Sequence, residues 1–275
     1  MGELQGKVAI VTGGASGIGE GAVRLFVEEG ARVVIADMQA ERGRALAKSL
    51  GENVQFIAVE VRQEKQVAAV IDLAMSQWGR LDCIFNNAGF GGVLGPLEET
   101  PVDEFDMTFD VLVRGVFLGM KHAAPVMKQQ GFGSIINTAS IAGLVAGYSP
   151  HAYAAAKAAV IQLTKSVAME LGEHNVRVNC ICPGFIATPL AANTVGKADE
   201  LIEKTLPSFT KAQAIPRAGR PVDIAQMACW LAGDRSTFVT GQSFVVDGGF
   251  AVGQKWADQP EFQKAYHPIK VYRPN

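Results

Sequence analysis

The 275-residue sequence has few cysteines, few aromatic residues and little net charge. Its four cysteines, at positions 83, 180, 182 and 229, lack the spacing of a metal site, so we expect no metal and assign them to the core. A net charge of −2 without a basic stripe argues against a nucleic-acid partner. No apolar run reaches about 18 residues and the amino terminus lacks an apolar signal core, which predicts a cytoplasmic protein without membrane contacts.

What the sequence does contain is a regular alternation of apolar strand-like runs and helical segments. Hydrophobic residues make up 48% of the chain and there are 30 glycines, as suits a buried parallel sheet with tight turns. We predict an α/β fold, a doubly wound and mostly parallel seven-stranded sheet with helices on both faces. The predicted strands are Val8–Val11, Arg32–Ala36, Val54–Val59, Cys83–Asn86, Gly133–Asn137, Arg177–Cys182 and Ser243–Val246. The main predicted helices are Glu20–Glu29, Gln63–Trp78, Glu104–Gln130, Ala152–Leu171 and Pro221–Ala232.

The length fits one large domain better than two small ones, and we place it at residues 1–250. Residues 183–220 form a long insertion after a strand, with a short helix near Asp199–Leu206, as expected of a substrate loop. Residues 251–275 form a carboxyl-terminal extension rich in aromatic residues. It either folds over a subunit interface or a neighbouring site, or packs loosely as a tail.

A glycine-rich loop follows the first predicted strand and leads into a helix. Strand, glycine turn and helix together are the context in which a dinucleotide pyrophosphate binds, because glycines permit close approach and the helix amino terminus presents free N–H groups. The loop runs from Thr12 to Gly19, and its candidate cofactor contacts are Gly13, Ser16, Gly17, Ile18 and Gly19.

The second predicted strand is followed by Asp37, eighteen residues beyond Gly19. A carboxylate there can accept hydrogen bonds from the adenosine ribose and repels a 2′-phosphate. Met38, the next residue, is a further candidate cofactor contact, and neither it nor the glycine loop offers a compensating positive charge. We therefore predict NAD as the cofactor, with an NADP-dependent carbonyl reductase as the alternative.

A second motif combines a phenol, an amine and a hydroxyl. Tyr153 and Lys157 are four residues apart and share one face of a predicted helix, and Ser140 lies thirteen residues upstream. A nearby cation lowers the pKa of a tyrosine, and a serine hydroxyl can hold the substrate oxygen during proton exchange. These three residues are the candidate catalytic groups.

From Gly6 to Phe250 the sequence resembles the short-chain dehydrogenase/reductase family, most closely the branch of secoisolariciresinol-type and xanthoxin-type alcohol dehydrogenases. The resemblance rests on the motifs above and on further matching segments: Asn86-Asn87-Ala88-Gly89, Asn179, Pro183-Gly184 with Thr188, and Asp247-Gly248-Gly249. It implies that Tyr153 is the general acid/base, that Lys157 binds the nicotinamide ribose and that Ser140 orients the substrate. The resemblance also implies cofactor contacts at Val61, Asn87, Ala88, Gly89, Pro183, Gly184, Ile186 and Thr188, and a homotetramer or homodimer.

Two positions depart from the family pattern. Leu112 stands where the family usually has an asparagine that bends a helix and supports a proton relay, and Glu60 replaces an aspartate near adenine. Leu112 leaves open an NAD-binding sensor or scaffold without useful catalysis. The leading hypothesis is an NAD-dependent oxidoreductase of apolar secondary alcohols or ketones, cyclic ones included. The expected pocket is apolar, lined by Gly91, Gly92, Val93, Leu94, Leu144, Val145, Tyr148, Phe185 and Leu190.

Overall fold

Seven parallel strands form a single sheet in the computed structural model, which describes residues 2–190, 206–208 and 210–265. The strands are β1 (Val8–Thr12), β2 (Arg32–Asp37), β3 (Val54–Ala58), β4 (Cys83–Asn86), β5 (Gly133–Thr138), β6 (Val176–Pro183) and β7 (Ser243–Val246). Their order is β3-β2-β1-β4-β5-β6-β7, and every neighbouring pair is parallel. The predicted doubly wound α/β fold is confirmed, with strand ends displaced by a residue or so.

The sheet is buried on both faces, which is why its strands read as continuous apolar runs. In β1, Val8 and Ile10 pack into one core while Ala9 and Val11 pack into the other, because successive side chains point to opposite faces. All four are at most 1% exposed. Two separate hydrophobic cores therefore hold helices against the two faces.

The helices divide between these faces. One core contains apolar residues of α1 (Gly17–Glu28), α2 (Ala40–Leu50) and α7 (Pro221–Ala232). The opposite core contains residues of α3 (Glu64–Trp78), α5 (Gly115–Gln130) and α6 (His151–Leu171). A short α4 (Val102–Phe109) precedes α5, and α8 (Glu261–Lys264) lies in the carboxyl-terminal extension.

The single helix predicted at Glu104–Gln130 is wrong in one respect. A π turn at Asp110–Arg114 separates α4 from α5, and the Gly115 N–H donates to the Asp110 carbonyl five residues earlier. Leu112 lies inside this turn and is fully buried. The turn thus forms without the asparagine side chain that the family usually has here. A π turn adds one residue to the helical repeat, whereas the prediction treated the whole segment as one α-helix of constant period.

The strand order reverses next to β1, which lies between β2 and β4. At such a switch point the connections leave in opposite directions and open a crevice beyond the carboxyl ends of the strands. The short helix predicted at Asp199–Leu206 lies almost wholly outside the described residues. Within the described part of the chain, no helix has the length and apolar character needed to span a bilayer.

Candidate active site

The glycine loop connects β1 to α1 at the switch point. Gly13 and Gly17 have φ values of +64° and +54°, a conformation that disfavours side chains. A β-carbon at Gly13 would lie 2.7 Å from the Ala88 α-carbon, so the loop packs directly on the segment that follows β4. Ser16 is the extended residue before α1, and Ile18 and Gly19 lie in its first turn. The loop and helix amino terminus thus fit a cradle for a pyrophosphate.

Thr12, at the end of β1, fixes the glycine loop to the segment after β4. Its hydroxyl oxygen accepts from the backbone N–H groups of Asn87 at 2.9 Å and of Ala88 at 3.1 Å. The Asn87 amide in turn donates to the Thr12 carbonyl at 3.2 Å. The sequence marked Thr12 only as the start of a motif. Its position at the carboxyl end of a central strand is the signal that could have identified it.

Asp37, at the end of β2, is 5% exposed and faces the glycine loop. One carboxylate oxygen accepts from the Ala15 N–H at 2.9 Å, and the other accepts from the Gln39 N–H at 2.9 Å. Gln39 also donates to the Ser16 hydroxyl at 3.3 Å. The negative charge is therefore held in place beside the loop, while Met38 is 72% exposed.

Ser140 follows β5 and begins a short 3₁₀ turn. Its hydroxyl accepts from the Ala142 N–H at 3.2 Å, and the residue is 8% exposed. Tyr153 lies in the first turn of α6, partly buried, and interacts with the Ser140 side chain by hydrogen bonding. The structure thus brings together two of the three candidate catalytic groups that the sequence separates by a loop.

Lys157 joins them from the next turn of α6. Its Nζ atom lies 5.5 Å from the centre of the Tyr153 ring and donates to the Thr138 carbonyl at 2.8 Å. Thr138 is the last residue of β5, and its hydroxyl donates to the Asn87 side-chain oxygen at 3.3 Å. A chain of hydrogen bonds therefore runs from Lys157 through Thr138 and Asn87 to Thr12. Thr138 did not emerge from the sequence, because it acts through its backbone and an adjacent strand.

Burial dominates the titration of both groups. It lowers the pKa of the Lys157 amine from 10.5 to about 8, because the side chain is only 3% exposed. Burial also raises the pKa of the Tyr153 phenol, and the Ser140 hydrogen bond offsets this in part. The sequence led us to expect a lowered tyrosine pKa. The direction differs because desolvation disfavours the phenolate, while the amine itself loses charge readily.

Residues after β6 run against the glycine loop. Thr188 is 6% exposed, and a β-carbon at Gly17 would lie 3.4 Å from its own β-carbon. Ile186 is 5% exposed and forms a β-bridge with Gly219. Pro183 ends β6, and Gly184 donates to the Val246 carbonyl at 3.1 Å. The segment predicted to seat the nicotinamide therefore borders the segment predicted to hold the pyrophosphate.

The two departures from the family pattern lie near each other, because the segment after β3 packs against the helical segment that contains Leu112. Leu112 approaches Gly89 so closely that a β-carbon added there would be 3.0 Å from Leu112 Cδ2. Glu60, beyond β3, pairs with Arg62 at 2.9 Å, which lowers the pKa of its carboxyl group. Val61 is 8% exposed and packs beside the amino terminus of α5, where a β-carbon at Gly115 would lie 3.0 Å from Val61 Cγ2.

Comparisons with known proteins agree with this geometry. The family model described as enoyl-(acyl carrier protein) reductase matches residues 13–251. Xanthoxin dehydrogenase of Arabidopsis thaliana is 43% identical, over 90% of this chain and 90% of its own. (+)-Borneol dehydrogenase 2 of Salvia officinalis is 40% identical, over 98% and 94%. The crystal structure of a 3-ketoacyl-(acyl-carrier-protein) reductase from Brucella melitensis, complexed with NADH, has a TM-score of 0.82 at 32% identity, covering 90% of this chain and 99% of that one.

The chain belongs to the short-chain dehydrogenase/reductase family, as its motifs predicted. It is an oxidoreductase of the short-chain type that binds a nicotinamide cofactor.

Proposed function

We propose that this protein transfers a hydride between NAD(H) and an apolar secondary alcohol or ketone. The observation that carries the proposal is the convergence of three groups at the carboxyl end of β5. The Ser140 side chain lies near enough to the Tyr153 phenol to offset in part the rise that burial causes in its pKa, and the Lys157 amine lies 5.5 Å from the centre of the same ring. A hydroxyl, a phenol and an amine so arranged can bind a carbonyl or carbinol oxygen and exchange a proton with it.

The described residues fit a bound dinucleotide. The glycine loop from Gly13 to Gly19 would receive the pyrophosphate, and Asp37 would receive the adenosine ribose. Asn87, Ala88 and Gly89 would border the riboses, with Val61 near adenine. The remaining proposed contacts, beside the nicotinamide, are Pro183, Gly184, Ile186 and Thr188, together with Tyr153 and Lys157. When bound, the cofactor supplies the hydride acceptor as NAD⁺ and the hydride donor as NADH.

The side chains of the protein would carry out the proton transfer. In alcohol oxidation the Tyr153 phenolate accepts the hydroxyl proton while the Ser140 hydroxyl orients the same oxygen. In ketone reduction the protonated phenol returns it. Because burial raises the pKa of Tyr153, we expect oxidation to accelerate toward alkaline pH and reduction to prefer lower pH. Lys157 holds a positive charge beside the phenol up to its own pKa of about 8.

We propose NAD rather than NADP as the cofactor because Asp37 carries a negative charge. The carboxylate is fixed beside the loop by two backbone N–H groups. Two unit charges about 4 Å apart repel by about 1 kcal/mol in water and about 4 kcal/mol at an effective dielectric constant of 20. A 2′-phosphate near Asp37 would thus lower NADPH affinity by roughly tenfold to several hundredfold.

The substrate class follows from charge and from the relatives. The residues expected to line the pocket carry no positive side chain that could bind a carboxylate or phosphate. Xanthoxin and borneol dehydrogenases are among the similar proteins, by name enzymes of alcohol oxidation. Both observations support an apolar alcohol, cyclic or terpenoid-like, as substrate.

The decisive experiment compares the natural protein with Tyr153→Phe. We expect a loss of at least about a hundredfold in kcat for secondary alcohols with NAD⁺, since the general base is removed. NADH binding, followed by fluorescence, should remain, because the phenyl ring is retained. Undiminished turnover by Tyr153→Phe would remove this mechanism.

We also propose that the protein forms a homotetramer, with a homodimer as the alternative. The edge strand β7 and the outer helices expose apolar side chains, among them Val245 at 42%, Phe117 at 46% and Val222 at 42%. The family resemblance is the main support for this assembly, and subunit contacts would bury exposed apolar side chains such as these. Light scattering coupled to size-exclusion chromatography tests the assembly.

A further inference from the structure

Three aromatic rings from distant parts of the chain meet at the carboxyl edge of the sheet. The Phe250 ring lies 4.6 Å from that of Tyr148 and 4.8 Å from that of Phe185, at interplanar angles of 71° and 74°. Both contacts have the edge-to-face geometry that aromatic pairs favour. We call these three residues the aromatic cluster, and Phe250 is its centre.

Each ring comes from a segment that also serves the site. Tyr148 lies between Ser140 and Tyr153, and Phe185 follows β6 in the segment that runs against the glycine loop. Phe250 follows β7. Because β5, β6 and β7 are adjacent and parallel, their carboxyl ends lie at one edge of the sheet. The cluster therefore borders the crevice in which the candidate catalytic groups converge.

The turn that presents Phe250 is firmly built. Asp247 is 6% exposed, and its carboxylate accepts from the N–H groups of Gly249 at 2.8 Å and Ala251 at 2.7 Å. Gly184, just before Phe185, packs so tightly on this turn that a β-carbon there would lie 2.6 Å from Asp247 Cβ. Phe250 thus has a fixed position relative to Phe185.

The cluster leaves apolar surface open. Tyr148 is 51% exposed although its ring contacts Phe250, and Phe250 itself is only partly buried. A half-open aromatic wall gains free energy when apolar rings of a ligand cover it, and gains little from a small or polar one.

We propose that Phe250 determines substrate specificity, by holding Tyr148 and Phe185 as an aromatic wall that selects bulky, ring-containing secondary alcohols over small acyclic ones. The inference rests on the proposed alcohol dehydrogenase function and deepens it. Phe250 acts as a positioning residue for the two other rings, which it contacts directly.

The test measures kcat/KM at saturating NAD⁺ for borneol, cyclohexanol and propan-2-ol. In Phe250→Ala the ratio of kcat/KM for borneol to kcat/KM for propan-2-ol should fall by about tenfold or more, mainly through a higher KM for borneol. The magnitude assumes a loss of about 60 Å² of apolar contact at about 25 cal/mol per Å², which corresponds to a tenfold change. Phe250→Tyr, which keeps the ring, should restore the preference. NADH affinity should not change.

Phe132→Ala is the matched control, because Phe132 precedes β5 at the opposite edge of the sheet and packs on Arg80. The preference of this variant for borneol over propan-2-ol should stay within about twofold of that of the natural protein. Tyr148→Ala provides a second variant if Phe250→Ala does not fold, since Tyr148 is half exposed. An unchanged preference in both alanine variants overturns the inference, whereas a natural protein that oxidises no secondary alcohol overturns the proposed function instead.

Discussion

Replacing Lys157 with methionine is expected to abolish turnover and, at neutral pH, to stabilise the folded protein. The amine is 3% exposed, and burial lowers its pKa from 10.5 to about 8. A displacement of that size corresponds to about 3 kcal/mol of unfavourable free energy for the charged form, at about 1.4 kcal/mol per pKa unit. Methionine fills nearly the same volume without a charge.

A smaller effect opposes this gain. The Lys157 amine donates to the Thr138 carbonyl at 2.8 Å, and methionine cannot. Such a hydrogen bond contributes about 1 kcal/mol net. The expected balance is an increase of about 2 kcal/mol in the free energy of unfolding near neutral pH.

The pH dependence of stability distinguishes removal of a buried charge from a simple gain in packing as the cause of the stabilisation. The unfolded chain keeps the Lys157 proton up to its ordinary pKa of 10.5, whereas the folded protein releases it near 8. Between these values the unfolded state binds more protons, so the stability of the natural protein rises with pH relative to the variant. The advantage of Lys157→Met should therefore be full below about pH 8 and shrink as the pH approaches 10.5.

Urea unfolding at equal protein concentration, near neutral pH and again near pH 9, measures both quantities. Lys165→Met is the control, because Lys165 lies on the exposed side of the same helix. It should change stability by less than about 0.5 kcal/mol at either pH. A Lys157→Met protein that is less stable than the natural one at neutral pH, or whose advantage does not depend on pH, would refute the reasoning.

Three further substitutions test the crevice. Asp37→Asn, which removes charge but keeps shape, should improve the NADPH:NADH affinity ratio by about tenfold or more in fluorescence titrations, and no change would assign cofactor choice to other residues. Thr12→Val should lower the free energy of unfolding in urea by about 2–4 kcal/mol and weaken NADH binding, since two partly buried N–H groups lose their acceptor. Thr12→Ser keeps the hydroxyl and should stay near the natural value. Leu112→Asn should lower stability by about 2 kcal/mol through lost apolar burial and change kcat by less than about threefold, because the π turn already forms with leucine. A gain of about a hundredfold in kcat would instead favour the hypothesis of a natural protein without useful catalysis.

Much of the fold was predictable because buried strands and amphipathic helices each require a characteristic spacing of apolar residues in the sequence. The apolar run at Val8–Val11 lies within β1, and β4 and β7 have the predicted ends. The π turn at Asp110–Arg114 was not predicted, since the segment from Glu104 to Gln130 was assigned as one α-helix of constant period and the extra residue was not recognised.

The site residues likewise fall into those that a local sequence pattern predicted and those that it did not. Motif residues such as Tyr153 and Lys157 were found because their spacing on one helix determines their proximity. Thr138 and Phe250 were not, because each acts on residues that are distant in the sequence, the first through its carbonyl on Lys157 and the second through rings at positions 148 and 185. Pairing between strands is a property of the sheet, and a local pattern does not contain it.

The sheet order explains how two motifs about 140 residues apart in the sequence come to lie close together. β1, β4 and β5 are consecutive neighbours, so Thr12, Asn87 and Thr138 leave the sheet side by side. Their hydrogen bonds form a continuous path from the carbonyl and hydroxyl of Thr12 to the amine of Lys157. We therefore expect a change in the glycine loop that displaces Thr12 to affect Lys157 through Asn87 and Thr138. In the proposed mechanism, the same three strand ends position the cofactor loop and the proton-transfer groups, so we expect a change at one to alter the other.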